Sequence, residues 1–467
     1  MPKCRIGVVA VSDSRSDARD VLDSVNRDYL ERTVRGLEAT GLIEPVVVTD
    51  PVYSSRQAVE EARRLASSKI DGTIINFATW SFPSLAAIIA QNGKGPFLLF
   101  SNLNPQYPGL VAMLASGGAL EQIGIKHQRI WGEIQEPRVI RKVISFCRAA
   151  RVVNTLRGQV CGLIGGRSMG MYTATVDPSQ WQQIFGVDVE HIDQLEIIRR
   201  AQDVPVEQVE RAVAWLEKNI GYIAYDGNRL TREKLAQQVR SYYATQDIIE
   251  EYGLDFLGVK CHPELSGHFV TQCLSQAFFN DPYDWDGRHE PTVFSCEADM
   301  DGAMTMQTMK LLTGEPVLFM DFRHYDASED VFVFCNCGSQ ATYYANRSDS
   351  AEENLRDVHL YPSKPLMKGG GAHVQYVCAP GTVTIARLLR SEGRYKMAIL
   401  KGEFVRYPRE KCRETTLEWP TAFVRLEVDP DVLIASYSSN HCHAVYGDWI
   451  EELKQTCQLL GIEVVGY

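Results

Sequence analysis

Four short runs of β-branched and aromatic residues recur at helix-sized intervals near the start of the chain: RIGVVAV (5–11), EPVVVTD (44–50), TIINFATW (73–80) and PFLLFSN (96–102). The segments between them, such as AVEEARRLASS and FPSLAAIIAQNG, carry helical periodicity. Near-continuous apolar strands alternating with helices predict a βαβα unit around a parallel sheet. Ligands of such sheets collect outside the C-terminal strand ends, where Ser12, Asp13, Arg15, Trp80 and Asn102 stand.

A basic amphipathic helix, EPRVIRKVISFCRAARVVNTL, leads into a new strand, QVCGLIGG, and sets a boundary near residue 155. Residues 156–314 read as a second doubly wound α/β unit. Beyond residue 315 the helix signal fades, and VFVFCNC, HVQYVCA, GTVTIARLL, YKMAILKGEFV and TAFVRLEVD are strand-like runs split by Gly, Pro and charged turns. The expected architecture is α/β: domains 1–155 and 156–314, then a β-barrel-like C-terminal domain 315–467. A single core stops growing near about 250 residues, so several domains are required.

The net charge of −11 comes from 59 acids against 48 Lys and Arg, with no basic block, which excludes a nucleic-acid partner. There is no run of about 18 apolar residues, and MPKCRIGVVAVSDSR has no signal-peptide core, so a cytoplasmic protein without a membrane partner is expected. The 12 cysteines sit mostly in apolar runs and read as free buried thiols of a reducing compartment. Cys335-Asn336-Cys337 lacks the spacing and second pair of a structural zinc site. The glycine-rich GLIGGRSMG fits neither a dinucleotide fingerprint nor a phosphate loop.

Chemistry concentrates in TVFSCEADMDGAMTMQTMKLLTGEPVLFMDFRHYD (292–326), where two strand-like runs finish on Glu297 and Asp321 around a helical segment. Asp299 or Asp301 can cap that helix, and Gly314 and Pro316 stop it. A right-handed βαβ crossover would turn both acids toward one pocket. They equally fit plain caps of the elements that follow. Two carboxylates in a desolvated pocket repel unless a proton or cation intervenes. One imidazole would complete a hard O/O/N set for manganese, magnesium or iron. SNHCHAVYGD (439–448) offers His441 and His443, two apart and on one face if the segment is a strand. Open positions on such an ion suit two vicinal oxygens of a sugar or hydroxy-carbonyl compound.

Taken together, GGRSMGMYTATVDPSQWQQIFGVDVEHID, CEADMDGAM with Asp321 24 residues after Glu297, and NHCHAVYGD resemble the L-fucose isomerase and L-arabinose isomerase superfamily, closer to the fucose branch. The resemblance implies two α/β domains and a barrel-like C-terminal domain, assembled as a homo-oligomer, a hexamer in the family. It implies aldose–ketose isomerisation with Mn2+, or Mg2+ or another divalent ion, held by Glu297, Asp321 and His441, with the two acids catalytic. By the same resemblance Arg15 and Trp80 reach the sugar of an adjacent subunit, Met169 and Asn440 line the pocket, and His443 is the fallback imidazole. The arabinose branch places a second histidine ligand after the acid pair, where this chain has Cys335-Asn336-Cys337. The expected reaction passes through a metal-bound enediolate of an open-chain sugar. A sugar-binding or sensory protein and a metal-dependent epimerase or lyase are the rival readings.

Overall fold

The runs expected as strands near the N-terminus assemble into one parallel sheet. The computed structural model describes residues 3–467. In it, Cys4–Ala10 lies between Ile43–Val47 and Gly72–Phe77, followed outward by Phe97–Ser101 and His127–Trp131. Every residue of Gly72–Phe77 and Phe97–Ser101 is buried, as strands covered on both faces require. The edge strand His127–Trp131 escapes the sequence reading because only alternate positions, Gln128 and Ile130, are buried. This unit runs to Thr155 and takes in Glu451–Gly461 from near the C-terminus. That late helix docks on it through Leu459 and a 3.1 Å ion pair between Glu452 and Arg148.

The second compact unit spans Leu156–Ile450 and Ile462–Tyr467. It holds a four-stranded parallel sheet in the order Phe294–Cys296, Phe256–Val259, Val160–Ile164, Asp188–Ile192. It also holds a mainly antiparallel seven-stranded sheet in the order Gly381–Ser391, His441–Tyr446, Leu318–Asp326, Val331–Cys335, Thr421–Leu426, Arg394–Val405, Glu463–Gly466. Gly381–Ser391 pairs in addition with Arg394–Val405, in register from Gly381↔Phe404 to Ser391↔Arg394. Ile164, Leu257 and Phe294 of the parallel sheet and Leu318, Phe334 and Ala444 of the other belong to one continuous apolar core. Residues 156–314 and 315–467 share it.

The helix Met300–Thr313 forms as expected, capped by Asp299, which accepts from Gly302 N, and ended by Gly314 at φ 73. The crossover reading does not hold. The strand before this helix pairs parallel with Phe256–Val259, whereas the strand after it pairs antiparallel with Val331–Cys335 and His441–Tyr446. The helix thus joins two sheets rather than two strands of one. It packs against both, which explains why it is buried nearly all round and shows little amphipathic pattern. Asp321 also differs from expectation, because its strand continues to Asp326.

Candidate metal and catalytic site

Backbone strain places the first acid. The strand Phe294–Cys296 stops because Glu297 and Ala298 both take positive φ, 59° and 49°. Such a conformation costs an L-residue about 1–2 kcal/mol and gathers at functional sites. Ala298 N donates to Val259 O at 3.0 Å, fixing the turn, and Asp299 then opens the helix. Asp321 and His441 are direct partners on neighbouring antiparallel strands, so their side chains share a face.

The three groups converge. His441 Nε2 lies 3.2 Å from Glu297 Oε2 and 3.4 Å from Asp321 Oδ1, with the ring wholly buried. Its other nitrogen, Nδ1, is 2.7 Å from Asp299 Oδ2. Asp299 in turn takes both of its oxygens to the buried guanidinium of Arg387, which also donates to Thr173 O at 2.8 Å. Asp299 therefore holds the proton of the imidazole on Nδ1 and turns the Nε2 lone pair toward two carboxylates.

That arrangement is unbalanced without a positive charge at its centre. Burial by itself would lower the His441 imidazole, but hydrogen bonding to Asp299 and Glu297 and the charges of Asp299 and Asp321 push it up to about 10. Burial pushes the Asp321 carboxyl up to about 6, with His441 opposing and Glu297 assisting. For Asp299 burial acts upward, yet the Arg387 charge and the His441 bond prevail and hold it well below the usual carboxylate range. Two carboxylate oxygens, each within 3.4 Å of one imidazole nitrogen, make a donor set whose chemistry fits a hard divalent cation.

The other expected residues are placed as follows. Asn440, exposed, donates from Nδ2 to Asp321 Oδ1 at 3.2 Å. The same amide lies 3.9 Å from Met171 Sδ, while Met169 is 51% exposed at φ 45. His443 shares the face of His441 but is deeper, fully buried, with Nδ1 3.3 Å from Ala386 O. Both rings pack against Phe319, His441 tilted at 4.5 Å and His443 edge-on at 5.1 Å between centroids. Arg15 and Trp80 belong to the N-terminal unit, where Arg15 pairs with buried Asp13 at 2.7 Å and keeps a 62% exposed side chain.

Asp299 and Arg387 were missed as members of this cluster. Asp299 was read only as a helix cap, which it also is. Arg387 did leave a signal: it is the one charge inside the apolar run GTVTIARLL, and a fully buried Arg requires a partner.

Comparison with known proteins gives a consistent result. Models of the first N-terminal, second N-terminal and C-terminal domains of L-fucose isomerase match residues 3–158, 162–250 and 334–467. Glu297 and Asp321 fall between the second and third matches, His441 within the third. An L-fucose isomerase of Vibrio vulnificus (strain YJ016) is 25% identical, covering 94% of this chain and 87% of its own length. A sulfoquinovose isomerase of Clostridium sp. (strain MSTE9) is 24% identical over 84% of this chain and 86% of its own. Another, of Priestia aryabhattai, is 23% identical over 94% and 95%. The chain belongs to the L-fucose isomerase family.

Proposed function

We propose that the chain is an aldose–ketose isomerase acting on an open-chain sugar, with Glu297, Asp321 and His441 holding a divalent cation, manganese first among candidates. The observation that carries this reading is the meeting of two carboxylates at Nε2 of His441 while Asp299 occupies Nδ1. When bound, such a cation supplies Lewis acidity at the carbonyl and hydroxyl oxygens of the sugar.

Aldose–ketose exchange moves a proton between neighbouring carbons, so the protein must supply both an acceptor and a donor close to those atoms. Glu297 and Asp321 are the two groups for that work. Asp321 suits a group that takes and returns a proton, since its side chain is the more accessible of the two acids, 29% exposed against 12% for Glu297. Asn440 steadies it through Oδ1. Met169, Asn440 and His443 are retained as substrate-side residues, and Arg15 and Trp80 as contributions of a neighbouring subunit in a homo-oligomer, a hexamer by the family pattern. A cytoplasmic location goes with this reading. The additional pairing of Gly381–Ser391 with Arg394–Val405 supports a closed barrel in the C-terminal region.

The test is an aldose panel, led by L-fucose and sulfoquinovose from the names of the relatives, incubated with Mn2+ with and without chelator and assayed for ketose. Turnover that requires the ion, and falls by about 10³-fold in Glu297→Gln and Asp321→Asn, is expected. Binding without turnover would favour a sugar-binding protein, and cleaved or inverted products a lyase or epimerase. Chelator-resistant isomerisation would end the metal assignment.

A further inference from the structure

Four of the cysteines gather around one small cavity. Cys261, Cys273, Cys296 and Cys337 line it with Met367, and Glu297 reaches the same space. Cys296 is the last residue of the strand before Glu297, and Cys337 sits in the turn after Val331–Cys335, tightened by Gly338 at φ 93. The second thiol that the local Cys335-Asn336-Cys337 spacing lacks is thus supplied from 41 residues away.

The geometry is that of a soft metal site. Two metal–sulfur bonds of about 2.3 Å at a tetrahedral angle put their sulfurs about 3.8 Å apart. Cys296 Sγ and Cys337 Sγ are 3.9 Å apart. Both sulfurs and one Glu297 carboxylate oxygen lie within 4.8 Å of one another. Two thiolates and a carboxylate select thiophilic ions over the hard ions that suit an O/O/N set, and leave a fourth position open.

We infer that Cys296, Cys337 and Glu297 form a second cation site for thiophilic divalent ions such as Zn2+ or Cd2+, sharing Glu297 with His441 and Asp321. On ligation each thiol gives its proton to solvent and binds as thiolate. A carboxylate engaged by this ion is withdrawn from His441 Nε2, 3.2 Å away. Filling the soft site therefore inhibits the hard one. The inhibition rests on the isomerase reading above; the binding does not.

Full-length, metal-free protein in a phosphine reductant is titrated with Cd2+ while thiolate-to-cadmium charge-transfer absorption is followed in the ultraviolet. A saturable band is expected in the wild type and in Asp321→Asn. Cys337→Ala and Cys296→Ala should each lose it and weaken Cd2+ binding by about 10- to 100-fold or more. Cys337 is only partly buried, so its variant loses least packing, and melting curves verify folding. No band in the wild type, or an unchanged band in Cys337→Ala, overturns the site. A band accompanied by Mn2+-dependent turnover that Cd2+ leaves intact overturns the sharing of Glu297. If Mn2+-loaded protein converts no aldose, the isomerase reading fails while the band still decides this site.

Discussion

At the scale of single residues, Asp299 performs two tasks with one carboxylate: it caps the helix Met300–Thr313 and fixes Nδ1 of His441. Asn would keep the cap but not the charge that Arg387 faces in full burial. Asp299→Asn is therefore expected to cost about 3–5 kcal/mol in urea unfolding and to weaken Mn2+ binding by about 10- to 100-fold. Unaltered Mn2+ affinity in a folded Asp299→Asn protein would remove its positioning role. His373 gives a pH prediction. Burial and the Lys364 charge lower its imidazole from 6.5 to about 3. Between those values the unfolded chain binds a proton that the folded chain refuses, so the stability tied to this residue is complete above pH 6.5. It falls by about 1.4 kcal/mol per unit as the solution is acidified below that. Melting temperatures of wild type and His373→Gln should converge on going from pH 7 to pH 4. A gap that stays constant would show that the ring is not held neutral. The residues legible in the sequence were those whose neighbours announce them: Glu297 at a strand end, and His441 beside Asn440. Asp299 and Arg387 were not, because their pairing across 88 positions has no local trace.

At the scale of elements, the strands that could be read were those carrying apolar runs, among them the edge strand Ile43–Val47, of which only Ile43 is buried. The edge strands His127–Trp131 and Asp188–Ile192 could not be read, since polar and charged residues interrupt HQRIW and DVEHI. The helix between the two acids was found with its cap and stop, yet its role was misread. Sheet membership depends on hydrogen bonds to distant strands, and two strands flanking a helix look the same whether they join one sheet or two. The hairpin from Gly381 to Val405 turns through Glu392 and Gly393, both at positive φ, 50° and 76°. That backbone favours Asn-Gly. Glu392→Asn should raise stability by about 0.5–1 kcal/mol in thermal or denaturant unfolding, and a loss instead would mean that Glu392 is held by contacts rather than by its turn.

At the scale of the whole molecule, an ion that binds only the folded protein stabilises it by mass action. At about 100 times its dissociation constant, Mn2+ should add about 2.7 kcal/mol to unfolding of the wild type and much less to Asp321→Asn, read as a shift in melting temperature. Equal shifts in both would place the ion elsewhere. The chain also leaves its first unit after Thr155, builds most of the second, returns for Glu451–Gly461 and leaves again for the closing strand. A ribosome making this protein therefore delivers the opening sheet long before the helix that completes its packing. Until residue 461 emerges, the first unit lacks the Glu452 partner of Arg148 and the Leu459 side chain that packs on its core. Nascent chains halted ahead of that point should be prime clients for chaperones, and a stop codon near position 450 should harm the unit of the protein made first.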